Sequence, residues 1–457
     1  MPVLEAPVAK GEKIELTIDN YGHEGEGVGR YQGFTIFVPG ALKGEWVQVR
    51  ITEVKKNFGR GEVVEVLESS PERVIPVCQV YQDCGGCQLQ HLDYQGQLNL
   101  KRQTVIDAVE RIGGLEDIRV HPVLGMKEPW YYRNKVQYPV GLSGNTIMMG
   151  FYRKGTHEMI NGSDCLLQTM LTNWVVVRIR KLIEKFQISV YDEQTGKGLL
   201  RHVLIKKGFT TGEMMVVFIT NGIEFEHGRE IAAELMAAFP AVKSVIQNIN
   251  FSRGNVIMGR EFKILAGSLT ISDELSGFKF KISARSFFQV NPAQAEVLYH
   301  KAVEYAGLAG TERVLDAYCG VGSLTLFLTH NARVVYGIEA IPEAILDAKE
   351  NAVLNQIQNV RFVVGKTEEV LPQLMRDGIG FDVAVVDPPR AGCEPSVLRS
   401  FADAGVKRIV YVSCNPSTLA RDLKILAELG YRTEEIQPVD MFPHTYHIEC
   451  VARIERK

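Results

Sequence analysis

RVLDAYCGVGSLTLFLTH, Arg313 to His330, decides how the C-terminal part of the chain is read. An apolar run reaches two closely spaced glycines and passes at once into a second apolar run of helical character. That order is strand, tight turn, helix. Toward the C-terminus the same unit recurs. RVVYGIEA, VRFVVG, FDVAVVDPP, RIVYVSC and HIECVARI read as strands, with IPEAILDAKENAVLN and PSTLARDLKILAELG as helices between most of them. Strands apolar on both faces, alternating with helices, predict a doubly wound parallel sheet from Glu312 onward.

Working toward the N-terminus, the pattern changes. KIELTIDNYG, FTIFVPG, EWVQVRITEVKK and GRGEVVEVLE alternate apolar and polar residues between glycine-rich turns, which predicts a small closed barrel of OB type. HEGEGVGR, His23 to Arg30, suits a tight hairpin, because no helix follows it as a phosphate loop requires. Arg50, Lys55, Lys56 and Arg60 cluster around Phe58, either as a nucleic-acid face or as a solvated loop. Residues 1–70 hold eight basic against eleven acidic residues, so charge does not choose between the two. Ser69 to Cys78 is a proline-punctuated linker. A helix is expected from Gln95 to Ile112, with Leu98, Val105, Ala108, Val109 and Ile112 apolar and Gly113-Gly114 as its stop. Between about 120 and 280, RHVLIKKG and GEMMVVFIT read as a hairpin and GREIAAELMAAF as a helix. The expected α/β architecture is therefore a barrel over 5–68, a central α+β domain over 69–280 and the parallel sheet over 281–457.

The 457 residues supply ample core for this many domains, and no apolar stretch approaches a membrane span. The start, MPVLEAPVAKGEK, lacks an apolar secretory segment, so the cytoplasm is expected. A net charge of −3 argues weakly against a large nucleic-acid footprint and leaves a local basic face possible. Eight cysteines in so long a chain are too few for a disulfide scaffold; metal binding or catalysis is the better expectation.

Ligands of a parallel sheet bind beyond the carboxyl ends of its strands. Gly320 and Gly322 stand at the first turn. Glu339 ends the next strand, where a carboxylate can accept both hydroxyls of a ribose. Asp387 ends the fourth, in VVDPPR. A dinucleotide fold wants a third glycine where Thr325 stands, and an Asp-Pro-Pro strand end has no place in it. The combination points to S-adenosylmethionine and a methyltransferase.

Amino-group methyltransferases follow the Asp-Pro-Pro motif with an aromatic residue, whereas here Arg390 follows. One strand on, RIVYVS stops at Cys414 and Asn415-Pro416 turns the chain away; Glu449 lies in the last strand. A thiol and a carboxylate beside a methyl donor suit methylation at carbon 5 of a pyrimidine. A thiolate added to carbon 6 makes carbon 5 nucleophilic, and a base then removes the carbon 5 proton. Cysteine fits as a nucleophile that also leaves well, with Glu449 as the base. The base must leave any helical stack, so flipped or looped RNA is the expected substrate. Cys393, four residues beyond Pro389, is a rival nucleophile ranked below Cys414, while Cys319 and Cys450 read as core fillers.

CQVYQDCGGCQLQH places Cys78, Cys84 and Cys87 together, which asks for a soft metal and a fourth ligand. Cys165 is the only other cysteine in the first three hundred residues and is the expected fourth. Zinc and an iron–sulfur cluster both accept four thiolates. His91 is an alternative ligand, with a capping or core role expected.

HEGEGVGR, CGGCQLQH, SFFQVN, DAYCGVG, DPPRAG, VSCNP and HIE, in that order over essentially the whole chain, resemble the 23S ribosomal RNA (uracil-5-)-methyltransferases with an N-terminal TRAM domain and an iron–sulfur cluster. The resemblance implies a TRAM barrel, a central iron–sulfur domain and a Rossmann-like class I methyltransferase domain. It implies Cys414 as nucleophile and Glu449 as base, with Gln289, Tyr318, Glu339 and Asp387 contacting S-adenosylmethionine. It makes Cys78, Cys84, Cys87 and Cys165 ligands of a four-iron four-sulfur cluster, in preference to zinc. It also implies that the helix after the cysteine motif packs on the catalytic domain. Ser323 and Lys366 depart from the Asn of some relatives. The implied substrate is 23S rRNA, free or in a pre-ribosomal particle, bound by a monomer without membrane or obligate protein partner. The tRNA-specific relatives lack both barrel and cysteines. A tRNA uridine-5 methyltransferase, and a non-catalytic RNA-binding assembly factor, are the alternatives.

Overall fold

The structure is a computed structural model that describes residues 6–144, 146–162, 164–254 and 256–457. Strands β1 (Lys13–Tyr21), β2 (Gly27–Tyr31), β3 (Phe34–Val38), β4 (Trp46–Val54) and β5 (Phe58–Glu68) close into a barrel in the order β1-β2-β3-β5-β4. Alternation along β1 sends Ile14, Leu16 and Ile18 inward. A Cβ at Gly27 or Gly29 would meet Ala41 O at 2.7 Å or Thr17 O at 2.4 Å, so these glycines let neighbouring backbone close in on the hairpin.

Helix α1 (Tyr94–Arg111) and the two-residue β6 (Arg119–Val120) follow. Next come β7 (Lys135–Ser143), β8 (Thr146–Tyr152), β9 (Met159–Asn161), α2 (Met170–Lys185), β10 (Leu200–Lys207), β11 (Met214–Thr220), α3 (Gly228–Ala238), β12 (Val242–Ile249) and β13 (Glu261–Gly267). These strands form a seven-stranded sheet, β13-β12-β11-β10-β7-β8-β9, in which β10 and β11 are the expected antiparallel pair. Val203, Ile205, Val216 and Phe218 face a core shared with α2 and α3. The intervening Leu204, Met215 and Val217 point the other way, into a core shared with the C-terminal layer. That double burial is why β10 and β11 read as continuous apolar runs.

The C-terminal layer begins with the hairpin β14 (Ile271–Leu275) and β15 (Phe278–Ile282), then α4 (Pro292–Ala306). The alternating units are β16 (Arg313–Ala317), α5 (Ser323–Thr329), β17 (Val334–Glu339), α6 (Pro342–Leu354), β18 (Val360–Val364), α7 (Thr367–Arg376), β19 (Val383–Val386), α8 (Pro395–Asp403), β20 (Arg408–Ser413), α9 (Pro416–Glu428), β21 (Tyr431–Val439) and β22 (Glu449–Arg456). The sheet order is β18-β17-β16-β19-β20-β22-β21-β6. Val314, Val385 and Val410 face one core while Leu315, Val386 and Ile409 face the other, so both sides of the parallel strands are covered.

Three features depart from the sequence pattern. β22 is antiparallel to β20, and β21, whose first half holds Arg432, Glu434 and Glu435, carries the sheet onward. β6 closes the far edge parallel to β21, so two residues from before the seven-stranded sheet complete the C-terminal one. On α1, Ile112 is exposed, whereas polar Gln97 and Lys101 are buried with Val105, Ala108 and Val109. Among the described residues, no helix is long and apolar enough to cross a membrane.

Candidate active site

The carboxyl ends of the parallel strands gather the residues singled out in the sequence. β16 ends at Ala317, and the chain turns into α5 through Tyr318 at φ 70°, Gly320 at φ 53° and Gly322 at φ 82°. A tyrosine held left-handed is a costly conformation for a residue with a Cβ. At Gly320 an added Cβ would meet nothing within 4 Å, so the turn presents bare backbone to open space. Glu339, at the end of β17, braces that turn: its carboxylate accepts from Gly320 N at 3.2 Å and Ile341 N at 2.9 Å. Asp316 is buried, accepts from Thr325 Oγ1 at 2.6 Å, and is pushed up to about 7 by burial. Asp387, beyond the end of β19, is likewise raised to about 7 by burial. Gln289, just before α4, lies with Ser323 at the hydroxyl of buried Tyr299, whose proton is held by burial and then by Asp387. This bare turn, the ribose-height carboxylate and the buried polar group fit a nucleoside-bearing methyl donor. Tyr299 escaped the sequence reading because it sits among the apolar positions of an ordinary amphipathic helix.

Cys414 follows β20 directly. Asn415 caps α9, its side chain accepting from Ser417 N at 3.0 Å, and Pro416 takes the first helical turn, where its missing N–H costs nothing. The cap ends the strand and leaves the half-buried thiol at its tip. Ser413 pairs with Cys450 across β20 and β22, and continuing that register by one residue sets Cys414 opposite Glu449. Burial, then Glu449, then Asp387 push the Cys414 thiol up to about 11, while Arg390 pulls it down. Glu449 is buried and held well above the usual carboxyl range, by burial first and Asp387 second, with Arg390 opposing. Arg390 is thus the cation of the site. Its carbonyl accepts from Asn415 Nδ2 and Thr418 Oγ1, both at 3.2 Å, and its guanidinium lies 3.5 Å from His447 Nε2. Cys393 is buried with its thiol at the hydroxyls of Tyr411 and Tyr318; its amide donates to Asp422 Oδ2 at 2.8 Å, and burial pushes the thiol up to about 12. Cys319 and Cys450 are also buried.

Cys414 and Arg390 line a cleft of about 710 Å³. One wall is the barrel, through Tyr21, Arg30 and Phe37; the other is α1, through Gln103 and Arg111. On the barrel, Phe37 meets Phe58 edge-on at 5.5 Å and Arg60 lies over both rings. Arg50, Lys55 and Arg60 stand beside Glu62 and Glu53, which tempers the basic cluster read from the sequence.

Cys78, Cys84, Cys87 and Cys165 are all half-buried and near enough to act on one another electrostatically. Burial leads in raising Cys84, Cys87 (to about 12) and Cys165, with Arg133 pulling each down. Among the described residues, no three His, Cys, Asp or Glu side chains are gathered as the ligands of a single metal ion. His91 is buried, with Nδ1 2.6 Å from Tyr81 OH, which makes it a core group.

A doubly wound sheet with a glycine turn, a strand-end carboxylate and an Asp-Pro-Pro loop is the architecture of a class I S-adenosylmethionine-dependent methyltransferase. The chain belongs to the tRNA (uracil-5-)-methyltransferase family, whose profile matches residues 176–457, and a TRAM domain profile matches residues 7–64. It is 51% identical over 450 residues to an uncharacterized RNA methyltransferase of Bacillus cereus, covering 98% of each chain. An uncharacterized RNA methyltransferase of Caldanaerobacter subterraneus is 50% identical, again over 98% of each chain. Among solved structures, the Pyrococcus abyssi tRNA (uracil-54, C5)-methyltransferase in complex with S-adenosyl-L-homocysteine superposes with a TM-score of 0.77 at 31% identity, over 96% of this chain and 99% of that one.

Proposed function

We propose that this chain methylates carbon 5 of a uridine in 23S rRNA, with Cys414 as nucleophile and Glu449 as base. The observation that carries the chemistry is the thiol opposite a buried carboxyl, lining a cleft walled by the barrel and α1. Gln289, Tyr318, Glu339 and Asp387 hold S-adenosylmethionine, which supplies an electrophilic methyl group and a positive charge. Cys414 adds to carbon 6 of the flipped uracil, and the electrons pushed to carbon 5 make it nucleophilic. After methylation, Glu449 takes the carbon 5 proton, the Sγ–carbon 6 bond breaks and the ring double bond re-forms. Arg390 favours the thiolate. Its charge also shifts Glu449 toward the ionised form that a base requires.

Adduct formation on 5-fluorouridine RNA tests the nucleophile: the native chain forms it, and a Cys414→Ala variant that still did so would sink the assignment. The ribosomal substrate rests on the resemblance alone, because the expectation that tRNA-specific relatives lack the barrel does not hold for the Pyrococcus enzyme, whose match to 96% of this chain takes in most of the barrel. The Pyrococcus enzyme, a tRNA methyltransferase aligned along nearly the whole of this chain, favours tRNA as the second reading. Mapping 5-methyluridine by mass spectrometry in rRNA and tRNA, with and without the gene, separates the two.

We also propose that Cys78, Cys84, Cys87 and Cys165 hold a four-iron four-sulfur cluster. Four half-buried thiols within electrostatic reach of one another supply the number and kind of ligand that such a cluster takes. A brown protein with iron, losing both on Cys87→Ser, is expected; a colourless protein with one zinc refutes it. The proposed catalytic unit is residues 281–457 completed by α1 and β6, beside a barrel over 5–68 and a central unit over the rest of 69–280.

A further inference from the structure

Between β21 and β22 lies DMFPHTYHI, Asp440 to Ile448, a segment without regular secondary structure that leads straight into Glu449. It is nonetheless largely buried, and four consecutive carbonyls in it are each bound by a different part of the chain. Asn291 Nδ2 donates to Met441 O at 3.0 Å, and Lys101 Nζ to Phe442 O at 3.0 Å. Tyr132 OH donates to Pro443 O at 3.1 Å, and the amides of Gln88 and Leu89 both donate to His444 O at 3.0 Å. His444 itself sits at φ 67°, a conformation a histidine keeps only when its surroundings impose it.

Gln97 of α1 imposes much of that conformation. Its Oε1 accepts from His444 N at 2.9 Å, while Nε2 donates to Leu92 O at 2.9 Å and lies 3.3 Å from His444 Nδ1. The Trp130 ring stacks on the imidazole at 3.7 Å and 21°. A buried glutamine in the apolar stripe of a helix needs such a use for its amide, since an unpaired one is expensive. His444 is five residues before Glu449, and Ile448 and Glu449 are themselves buried, so a shift at His444 has little slack to absorb it.

We propose that Gln97 is a positioning residue for proton abstraction, acting through His444 to aim the Glu449 carboxylate at carbon 5. The proposal rests on the reading of Cys414 as nucleophile and Glu449 as base, and it predicts a failure confined to one step. Thiolate addition and methyl transfer precede the need for the base. When the base is misaimed, the carbon 5 proton stays, the Sγ–carbon 6 bond cannot break, and enzyme and methylated RNA remain joined.

The test is Gln97→Leu, of similar volume but without either hydrogen bond, assayed three ways against the native chain. Adduct formation on 5-fluorouridine RNA reports the early steps and is expected to be unchanged. Turnover on uridine RNA is expected to fall at least about tenfold, as for a misplacement of the order of an ångström. A denaturant-resistant adduct containing ordinary 5-methyluridine is expected to accumulate. If Gln97 only maintains the fold, the fluorouridine adduct slows in parallel with turnover and no methylated adduct appears, which overturns the proposal. Trp130→Leu removes the ring stacked on the His444 imidazole and must give the same signature, including if Gln97→Leu does not fold. If the native chain forms no adduct on 5-fluorouridine RNA, the underlying reading of Cys414 fails instead.

Discussion

Lys101→Met is the substitution whose cost follows most directly from the structure. Lys101 on α1 and Asp440 after β21 are wholly buried, with Nζ 2.5 Å from Oδ1. Lys101 also donates to Phe442 O, and Asp440 Oδ2 accepts from Tyr94 OH at 2.8 Å. Methionine fills the space of the lysine stem but leaves Asp440 in the interior with one neutral donor. Removing one partner of a buried pair costs about 3–5 kcal/mol, because the other charge stays behind uncompensated. Lys101→Met/Asp440→Leu removes both charges and loses the hydrogen bonds to Tyr94 OH and Phe442 O, for about 2 kcal/mol. The double variant is therefore expected to be more stable than the single one by about 2 kcal/mol, a coupling well outside additivity error. Urea unfolding at neutral pH, followed by tryptophan fluorescence and far-ultraviolet circular dichroism together, measures this; coincident transitions license the free energies. Trp130 stacks on His444 in the same segment and reports its release. A single variant within about 1 kcal/mol of the native chain, or strictly additive effects, would refute a charge-bearing pair in this core.

The Cys414 thiol, held at about 11, is mostly neutral at pH 7, so its alkylation by iodoacetamide should rise about tenfold per pH unit from 7 to 9. Arg390→Gln removes the opposing cation and should slow that alkylation at any fixed pH, read by peptide mass spectrometry. Cys393→Ala should cost about 1 kcal/mol of stability for a small buried cavity while keeping methyl transfer, in contrast to Cys414→Ala. Gly320→Ala strikes no neighbour but forces a side chain to φ 53°, so it should lose about 1 kcal/mol of stability. It should also weaken S-adenosylhomocysteine binding in calorimetry, because the new Cβ occupies the space the turn leaves open.

The strand-end residues were legible because local chemistry marks them. Two glycines, a carboxylate and an Asp-Pro-Pro break each interrupt an apolar run whose both-face burial is itself visible as uninterrupted hydrophobicity. Asn415-Pro416 announced the end of β20 through capping rules that act over three residues. What the sequence hid depends on pairings hundreds of residues apart. Gln97 and Lys101 look like the solvent side of an amphipathic helix, and only the segment around His444 makes burying them favourable. β6 is too short to leave a period, and β21, one strand in from the sheet edge, opens with Arg432, Glu434 and Glu435 in place of an apolar run. The antiparallel entry of β22, which sets Glu449 opposite Cys414, likewise leaves no trace in composition. His447, near the Arg390 guanidinium, could have been flagged by its place two residues before Glu449.

β22 is made after every other strand of its sheet, yet it lies inside it, between β20 and β21. During synthesis β20 and β21 each lack one of their two final neighbours until that segment emerges, and β6 waits for its partner β21 through more than three hundred residues of intervening chain. Such ordering predicts slow, non-local maturation and a nascent chain whose unpaired edges need shelter from aggregation. It also means that the thiol at the end of β20 meets the carboxyl of Glu449 only when the last strand slots in. Under the proposed mechanism, a polypeptide released before β22 would lack the base and could not finish a methyl transfer.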